Sequence, residues 1–254
     1  MLNQYIFYTF NGASVLIILD ANLMEHVLAT ILVLVVTKHN LILAADSRKT
    51  NLYPDGIGEK GTVEKICQTN QTYYAVSGLH SDEDGSFSMQ AILHDVLLRY
   101  LDFEEAIKNI AVTLTTELKK YFINLKSNNP SLFRQFQTYS YAGGELVIAK
   151  RVDGIPVAHL LDYKVIDGAD LNVVMNTWKT GIKEIKDNQE CFWRAIGNTS
   201  FLDTHMPAEK QMAADPAGKA RWIIEEGIRR HPAFVGEPIH ILEMTEEGEK
   251  WING

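Results

Sequence analysis

The chain has 254 residues, 46% of them hydrophobic, which is enough for a substantial core in one large domain or two small ones. Its formal net charge of −8, with no compensating basic block, argues against nucleic acid as a partner. Two cysteines cannot build a disulfide framework, and the eight histidines lack metal-ligand spacing, so we expect no metal or other cofactor.

Residues 1–29 precede the main apolar pattern. They hold an aromatic stretch, Tyr5–Phe10, and an apolar run, Val15–Leu19, that is too short to span a membrane. No Lys or Arg precedes this run, which makes it a poor signal peptide, although Val27–Ala29 has the small-residue character of a cleavage site. Three interpretations stay open: a propeptide removed to expose Thr30, a degenerate export signal cleaved at the same bond, or a permanent extension upstream of the domain.

Two apolar runs, Thr30–Val36 and Leu41–Ala45, are joined by a short polar turn and predict a pair of buried strands. A strand pair places the start of the first strand beside the end of the second. We therefore expect Thr30 and Asp46 to be neighbours. The alternating segment Thr62–Gln68 predicts a third strand, which would bring its Lys65 to the same end of the sheet.

The intervening segment Asn51–Gly61 is rich in turn residues and is interpreted as a flexible loop. It contains a formal match to the G-x-G-x-x-G dinucleotide fingerprint, Gly56–Gly61. That fingerprint needs a strand before it and a helix after it, and the sequence predicts no helix here. We therefore do not expect a bound nucleotide.

The remaining elements are predicted from apolar periodicity, caps and turn residues. They are a strand at Thr72–Ser77 closed by a Ser77-Gly78 turn, helices over Met89–Leu101 and from the Asp102 cap to Asn128, a hairpin of Glu145–Lys150 with Val157–Val165, a helix starting after Asp215, and a last strand at Pro238–Met244. Two aspartates of the hairpin, Asp162 and Asp167, are interpreted as solvated turn residues. Leu171–Phe201 receives no assignment. The order of elements is compatible with two stacked sheets covered by helices.

Thr30, Asp46-Ser47-Arg48 and Lys65, followed by the Ser77-Gly78 turn, resemble the N-terminal half of a proteasome β-type subunit. This is the Ntn-hydrolase family, whose nucleophile is the first residue of the mature chain. The resemblance implies an α+β fold, a four-layer αββα sandwich formed by one domain over residues 30–254. It also implies a threonine-type peptidase that acts on peptides or proteins and forms homo-oligomers. From the charge and the short apolar run we expect neither a nucleic-acid nor a membrane partner, and we expect a cytoplasmic protein unless cleavage after Ala29 accompanies export.

The chemistry of these residues agrees with that resemblance. A threonine hydroxyl is a weak nucleophile, and an α-amine on the same residue, with a pKa of about 8, can act as its base once residues 1–29 are removed. Lys65 would place positive charge beside the hydroxyl, Asp46 would hold Lys65, and Arg48 would support the Asp46 carboxylate. The N–H of Gly78, next to Ser77, would face the oxyanion of a tetrahedral intermediate.

The sequence departs from the family pattern at several places. Ala29 stands where a glycine usually precedes the nucleophile, and Glu237 follows Gly236 where the family has a second glycine. The second-half partners of the nucleophile correspond to Gly197–Ser200 and Arg230–Ala233, without a clear aspartate. Two alternatives follow: a non-catalytic ring-forming subunit that keeps its N-terminal segment, and an Ntn-type amidase for small amides. Taken singly, each proposed site residue also has a structural explanation that involves no catalysis. Under that explanation Lys65, for example, is a solvent-facing strand residue.

Overall fold

The computed structural model describes residues 5–10, 13–18, 31–53, 56–79, 81, 87–139, 143–197, 199–202, 206–232 and 234–252. At 5–10, 13–18, 49–53, 56–60, 135, 138 and 139 it describes the backbone and not the side chains. The predictions made for Ala29, Thr30, Asn198 and Ala233 lie outside the described residues.

The described strands are β1 (Tyr5–Phe10), β2 (Ala13–Ile18), β3 (Ile31–Thr37), β4 (Asn40–Ala45), β5 (Arg48–Tyr53), β6 (Gly56–Thr62), β7 (Ile66–Thr69), β8 (Thr72–Ser77), β9 (Gly144–Val152), β10 (Ile155–Asp167), β11 (Leu171–Gly181), β12 (Cys191–Gly197), β13 (His240–Thr245) and β14 (Glu249–Trp251). The described helices are α1 (Met89–Arg99), α2 (Phe103–Asn128), α3 (Pro130–Tyr139), α4 (Glu209–Ala214) and α5 (Pro216–Arg230). No helix in the described ranges is long and apolar enough to cross a membrane.

Two five-stranded sheets form the centre of the molecule. Sheet I has the strand order β11-β10-β9-β8-β7, and sheet II has the order β12-β3-β4-β13-β14. Neighbouring strands in both sheets are antiparallel. Two further hairpins, β1–β2 and β5–β6, are separate from these sheets. The predicted pairing of the first two apolar runs is confirmed, with Leu32 opposite Ala45.

The strand β3 shows why these runs are continuously apolar. All of its residues from Ile31 to Val36 are fully buried. Leu32 and Leu34 face sheet I, whereas Ile31 and Val33 pack under α4 and α5. Because both faces of the strand are covered, the usual apolar–polar alternation is lost.

The layers follow from three apolar clusters. One lies between sheet I and helices α1, α2 and α3, the second lies between the two sheets, and the third lies between sheet II and helices α4 and α5. The chain is therefore the four-layer αββα sandwich that the resemblance implies, and the α+β fold class is confirmed. Two predicted helix starts are also confirmed, because Asp102 accepts a hydrogen bond from the Glu105 N–H and Asp215 accepts one from the Gly218 N–H.

Several sequence predictions are corrected by the structure. Residues 51–61 are mostly not a loop, since β5 and β6 form a hairpin that contains the whole of Gly56–Gly61. The predicted strand Thr62–Gln68 is divided: β6 ends at Thr62, residues 63–65 are irregular, and β7 starts at Ile66. Sequence reasoning missed α3, α4 and the edge strands β11, β12 and β14.

The sequence provides no assignment for β11 because the pattern of apolar and polar residues along this strand is mixed. It is an edge strand of sheet I, and its residues 172, 174, 176 and 178 are exposed. Apolar side chains such as Val174 and Trp178 stand among these exposed positions, so the sequence shows neither a buried run nor a regular alternation.

Candidate active site

The end of β4 meets the start of β3 at Asp46. The Asp46 N–H donates to the carbonyl oxygen of Ile31 at 3.3 Å, and the Ile31 N–H donates to Asp46 Oδ1 at 3.0 Å. The predicted convergence of the two strand ends therefore holds for Ile31, the residue that follows Thr30. Thr30 itself is outside the described residues, so its position stays a prediction.

Lys65 reaches the same carboxylate. Its Nζ lies 2.8 Å from Asp46 Oδ1, and the two residues are 8% and 0% exposed. Lys65 precedes β7 in an irregular segment, which corrects its assignment to a strand and also the alternative that it faces solvent. The oxygen that accepts the Ile31 N–H thus also binds the ammonium group.

Burial is the main influence on the Lys65 ammonium. It lowers the pKa of Lys65 from its ordinary value of 10.5, and the charge of Arg48 acts in the same direction, whereas the charge and hydrogen bond of Asp46 oppose the shift. The amine therefore releases its proton more readily than the amine of a surface lysine.

The second carboxylate oxygen of Asp46 is held by backbone donors. The Arg48 N–H donates to Oδ2 at 3.1 Å, and the Gly236 N–H donates to it at 3.2 Å. Arg48 thus supports the Asp46 carboxylate through its backbone N–H. Asp46 accepts four hydrogen bonds from the described residues, which fix both of its oxygens.

Gly236 is a site residue that the sequence indicated only through the family pattern. An added Cβ would lie 2.5 Å from Arg48 Nε, so the guanidinium occupies the space that a side chain would need. The segment is also joined to Ser47, whose N–H donates to Gly236 O at 3.0 Å and whose Oγ donates to Pro238 O at 2.6 Å. The Asp46–Arg48 turn is therefore held against the segment that leads into β13.

The Ser77-Gly78 turn lies at the same end of sheet I as Lys65. Ile66 pairs with Ala75, so the residue before Ile66 and the residues after Ala75 share one end of the sheet. Ser77 is buried and pairs with Glu145, whereas Gly78 is exposed and has a φ of +105°. An added Cβ at Gly78 would lie 3.0 Å from Gly144 Cα, so both the backbone conformation and the space favour glycine.

The structure describes part of the two segments, Gly197–Ser200 and Arg230–Ala233, that correspond to the second-half partners of the nucleophile. Gly197 pairs with Ile31, which places the start of Gly197–Ser200 beside the start of β3. His231 ends α5, where its N–H donates to Gly227 O. Within the described residues, Asp46 is the carboxylate that contacts Lys65 or the Ile31 N–H.

A second polar cluster lies between the sheets. Arg194 of β12 ion-pairs with Glu145 of β9 at 2.8 Å, and Asp162 of β10 is the register partner of Glu145. Burial raises the pKa of Glu145, and the charge of Asp162 adds to this, whereas Arg194 opposes it. The interpretation of Asp162 as a solvated turn residue is wrong, because Asp162 lies within β10 and its Oδ1 is buried without a hydrogen-bond partner.

The other aspartate, Asp167, ends β10 and is bound rather than simply solvated. It accepts hydrogen bonds from Lys126 at 2.7 Å and from Gln137 at 2.9 Å. Across the described part of the chain, no three His, Cys, Asp or Glu residues are grouped to hold a metal ion. The G-x-G-x-x-G match lies in a strand of a hairpin, which is not the strand-to-helix turn that binds a dinucleotide.

Comparison with known proteins agrees with the fold. The Gly-1 mutant of Anbu, a proteasome-like protein, from Hyphomicrobium sp. strain MC1 superposes with a TM-score of 0.50 at 14% sequence identity. The match covers 89% of this chain and 87% of that chain. The chain has a proteasome-like fold. No protein-family model and no curated protein sequence matches the chain. At this identity the likeness concerns the fold alone.

Proposed function

We propose that the chain is a threonine-type N-terminal-nucleophile hydrolase that cleaves peptide bonds, with Thr30 as the nucleophile after residues 1–29 are removed. The observation that carries the proposal is the shared oxygen of Asp46, which binds the Lys65 ammonium and the Ile31 N–H. Thr30 is bonded covalently to that Ile31 nitrogen. A buried cation is thus fixed next to the peptide group that joins Thr30 to the sheet.

In the proposed reaction the Thr30 hydroxyl adds to the substrate carbonyl carbon, and its proton moves to the Thr30 α-amine. The Lys65 charge lowers the cost of the developing alkoxide, and Asp46 keeps the ammonium in position. The Gly78 N–H binds the oxyanion. The amine product leaves with the transferred proton, and water then hydrolyses the ester on Thr30 to restore the hydroxyl.

The oxyanion role of Gly78 is supported by its exposure and by the end of the sheet that it shares with Lys65. No hydrogen bond from the Gly78 N–H to another described residue is present. We extend the proposal to a homo-oligomer that acts on peptide or protein substrates, on the support of the proteasome-like fold.

The test is the hydrolysis of fluorogenic peptides by the purified protein and by three variants. Thr30→Ala is expected to lose turnover by a factor on the order of 10³ or more, and Thr30→Ser is expected to retain part of it. The control is Thr116→Ala, which removes a hydroxyl on the exposed side of α2 and should leave turnover unchanged.

Three results would contradict the proposal. Hydrolysis of small acyl amides without hydrolysis of peptides would favour the amidase alternative. Equal peptide hydrolysis by the wild type and Thr30→Ala would exclude Thr30 as the nucleophile. A purified protein that hydrolyses neither substrate and keeps residues 1–29 would instead fit the non-catalytic ring subunit.

A further inference from the structure

Tyr163 is a fully enclosed residue next to the proposed oxyanion turn. It lies on β10, is 1% exposed, and faces the helix layer of sheet I. Its register partner on β9 is Gly144, and the neighbour of Gly144 on β9, Glu145, pairs with Ser77 on β8. The ring therefore crosses the start of β9 towards the end of β8, where Gly78 and Leu79 lie.

Two glycines make this path possible. An added Cβ at Gly144 would lie 2.5 Å from Tyr163 Cε1 and 2.6 Å from its Oη. An added Cβ at Gly143, whose φ is +86°, would lie 2.0 Å from the carbonyl oxygen of Tyr163. No real side chain fits at such distances, so the Gly143-Gly144 pair is explained by the space that Tyr163 occupies.

The Tyr163 hydroxyl lies beside the Ser77-Gly78 turn, which carries the proposed oxyanion donor. Its oxygen lies 3.5 Å from the point above Gly78 where a Cβ would stand, and it interacts with the Leu79 backbone, which opposes the effect of burial on its pKa. Burial raises the pKa of Tyr163 well above its ordinary value, so the group stays a neutral phenol. A buried tyrosine hydroxyl normally has such a partner, and here the partner belongs to the turn.

The turn is thus held on both sides of Gly78. On one side, Ser77 is fixed in the ladder of β8 and β9; on the other, the Tyr163 hydroxyl packs against Gly78 and interacts with the Leu79 backbone. An exposed glycine in a left-handed conformation is otherwise free to change its dihedral angles, and a mobile donor stabilises an oxyanion poorly. Holding the following peptide fixes the direction in which the Gly78 N–H points.

We propose that Tyr163 is a positioning residue that preorganises the Gly78 N–H for the oxyanion. The inference rests on the proposed function, because it assigns the oxyanion donor to Gly78. Tyr163 does not touch the reacting atoms, and its effect is transmitted through the Gly78–Leu79 peptide.

The test compares Tyr163→Phe with the wild type in peptide hydrolysis. The phenylalanine ring fills the same space and removes only the hydroxyl, so kcat should fall about 10- to 100-fold while KM changes less than about threefold. The inhibition constant of a peptide aldehyde, which forms a tetrahedral adduct with the nucleophile, should rise by the same factor as kcat falls. The inhibition constant of the non-covalent product peptide should not change.

The matched control is Tyr73→Phe. Tyr73 is also buried, and its hydroxyl accepts a hydrogen bond from Gln68 at 3.1 Å, but it lies near the other end of β8. Its kcat and aldehyde inhibition should equal those of the wild type. A similar loss in both variants would mean a general structural effect and would overturn the role of Tyr163.

Hydrogen exchange at the Leu79 amide tests the same inference without an activity assay. The Leu79 amide should exchange slowly, and Tyr163→Phe should lose that protection in the peptide that contains the turn, but not in β13. Rapid exchange of Leu79 in the wild type refutes the positioning role even if Tyr163→Phe does not fold. If the wild type hydrolyses peptides and Tyr163→Phe has the same kcat, the inference fails alone; if the wild type hydrolyses no peptide, the proposed function fails and the inference fails with it.

Discussion

Replacement of Asp46 by alanine tests the arrangement on which the proposed site depends. The carboxylate is fully buried and accepts hydrogen bonds from Lys65 Nζ and from three backbone N–H groups, those of Ile31, Arg48 and Gly236. In Asp46→Ala the buried ammonium loses its counter-ion, and the three N–H groups lose their acceptor.

The expected loss follows from these contacts. Breaking a buried ion pair by removing one partner costs about 3–5 kcal/mol. The unsatisfied N–H groups add to this where water cannot reach them, so we expect a loss of about 5 kcal/mol in the free energy of unfolding. For a chain of this size that corresponds to a fall in Tm of roughly 10–20 °C.

The assay is urea unfolding followed by circular dichroism, with two further variants. Asp46→Ala combined with Lys65→Met removes the uncompensated ammonium and should recover about 2 kcal/mol relative to Asp46→Ala alone. Asp187→Ala removes the partner of Lys38 in an ion pair at the surface and should cost less than about 1 kcal/mol.

Two results would refute this reasoning. Asp46→Ala could unfold within about 1 kcal/mol of the wild type, which would mean that the four contacts contribute little net stability. Alternatively, the double variant could be no more stable than the single one, which would mean that the buried ammonium is not the source of the loss.

Two further predictions concern a glycine and a histidine. Gly236→Ala should destabilise the fold by about 1 kcal/mol, because the new Cβ would lie 2.5 Å from Arg48 Nε and the end of that side chain must move away, whereas Gly248→Ala, with no atom within 4 Å, should be nearly neutral when the two variants are compared by thermal unfolding. Equal Tm values for Gly236→Ala and Gly248→Ala would contradict the close contact between Gly236 and the Arg48 side chain. Burial lowers the pKa of His159 from its ordinary value of 6.5, although Glu104 opposes the shift. Below that pH the unfolded chain binds a proton at this histidine more readily than the folded chain does. The free energy of unfolding should therefore fall as the pH drops below 6.5. His159→Gln should flatten this part of the pH dependence of the unfolding free energy, and an unchanged slope would refute the assignment.

Much of the sandwich could be predicted from the sequence, because its central strands are covered on both faces and give long apolar runs. The runs at 31–36 and 41–45 are of this kind, as is the strand at 72–77. Helices α1 and α2 were predicted for a similar reason, since their buried residues recur at helical spacing. Edge elements were missed because burial on one side, or little burial, leaves a weak pattern, as in β11 and β14.

The site was predicted less completely because half of its groups belong to the backbone. The pairing of Asp46 with Lys65 follows from side chains whose spacing is visible in the sequence. The N–H groups of Ile31, Arg48 and Gly236 have no residue-type signature, since every residue except proline carries one. Arg48 illustrates this limit, because the sequence predicts that it supports Asp46 but not that the backbone N–H makes the contact.

Tyr163 shows a further limit. The sequence marks Gly143-Gly144 as unusual but does not say what the missing side chains leave room for. The Tyr163 ring that fills this space is about twenty residues away along the chain and enters through the register of β9 and β10. Contacts of this kind depend on strand register, which the sequence leaves open until both strands and their turn are placed.

The central claim is that Thr30 becomes the first residue of the working protein, and it is tested most directly by the intact mass and N-terminal sequence of the purified chain. The proposed function predicts a chain that begins at Thr30, with a free α-amine beside the Asp46–Lys65 pair. A chain that still carries residues 1–29 while it is fully active on peptides would contradict the claim, because an amide nitrogen at Thr30 cannot act as the base.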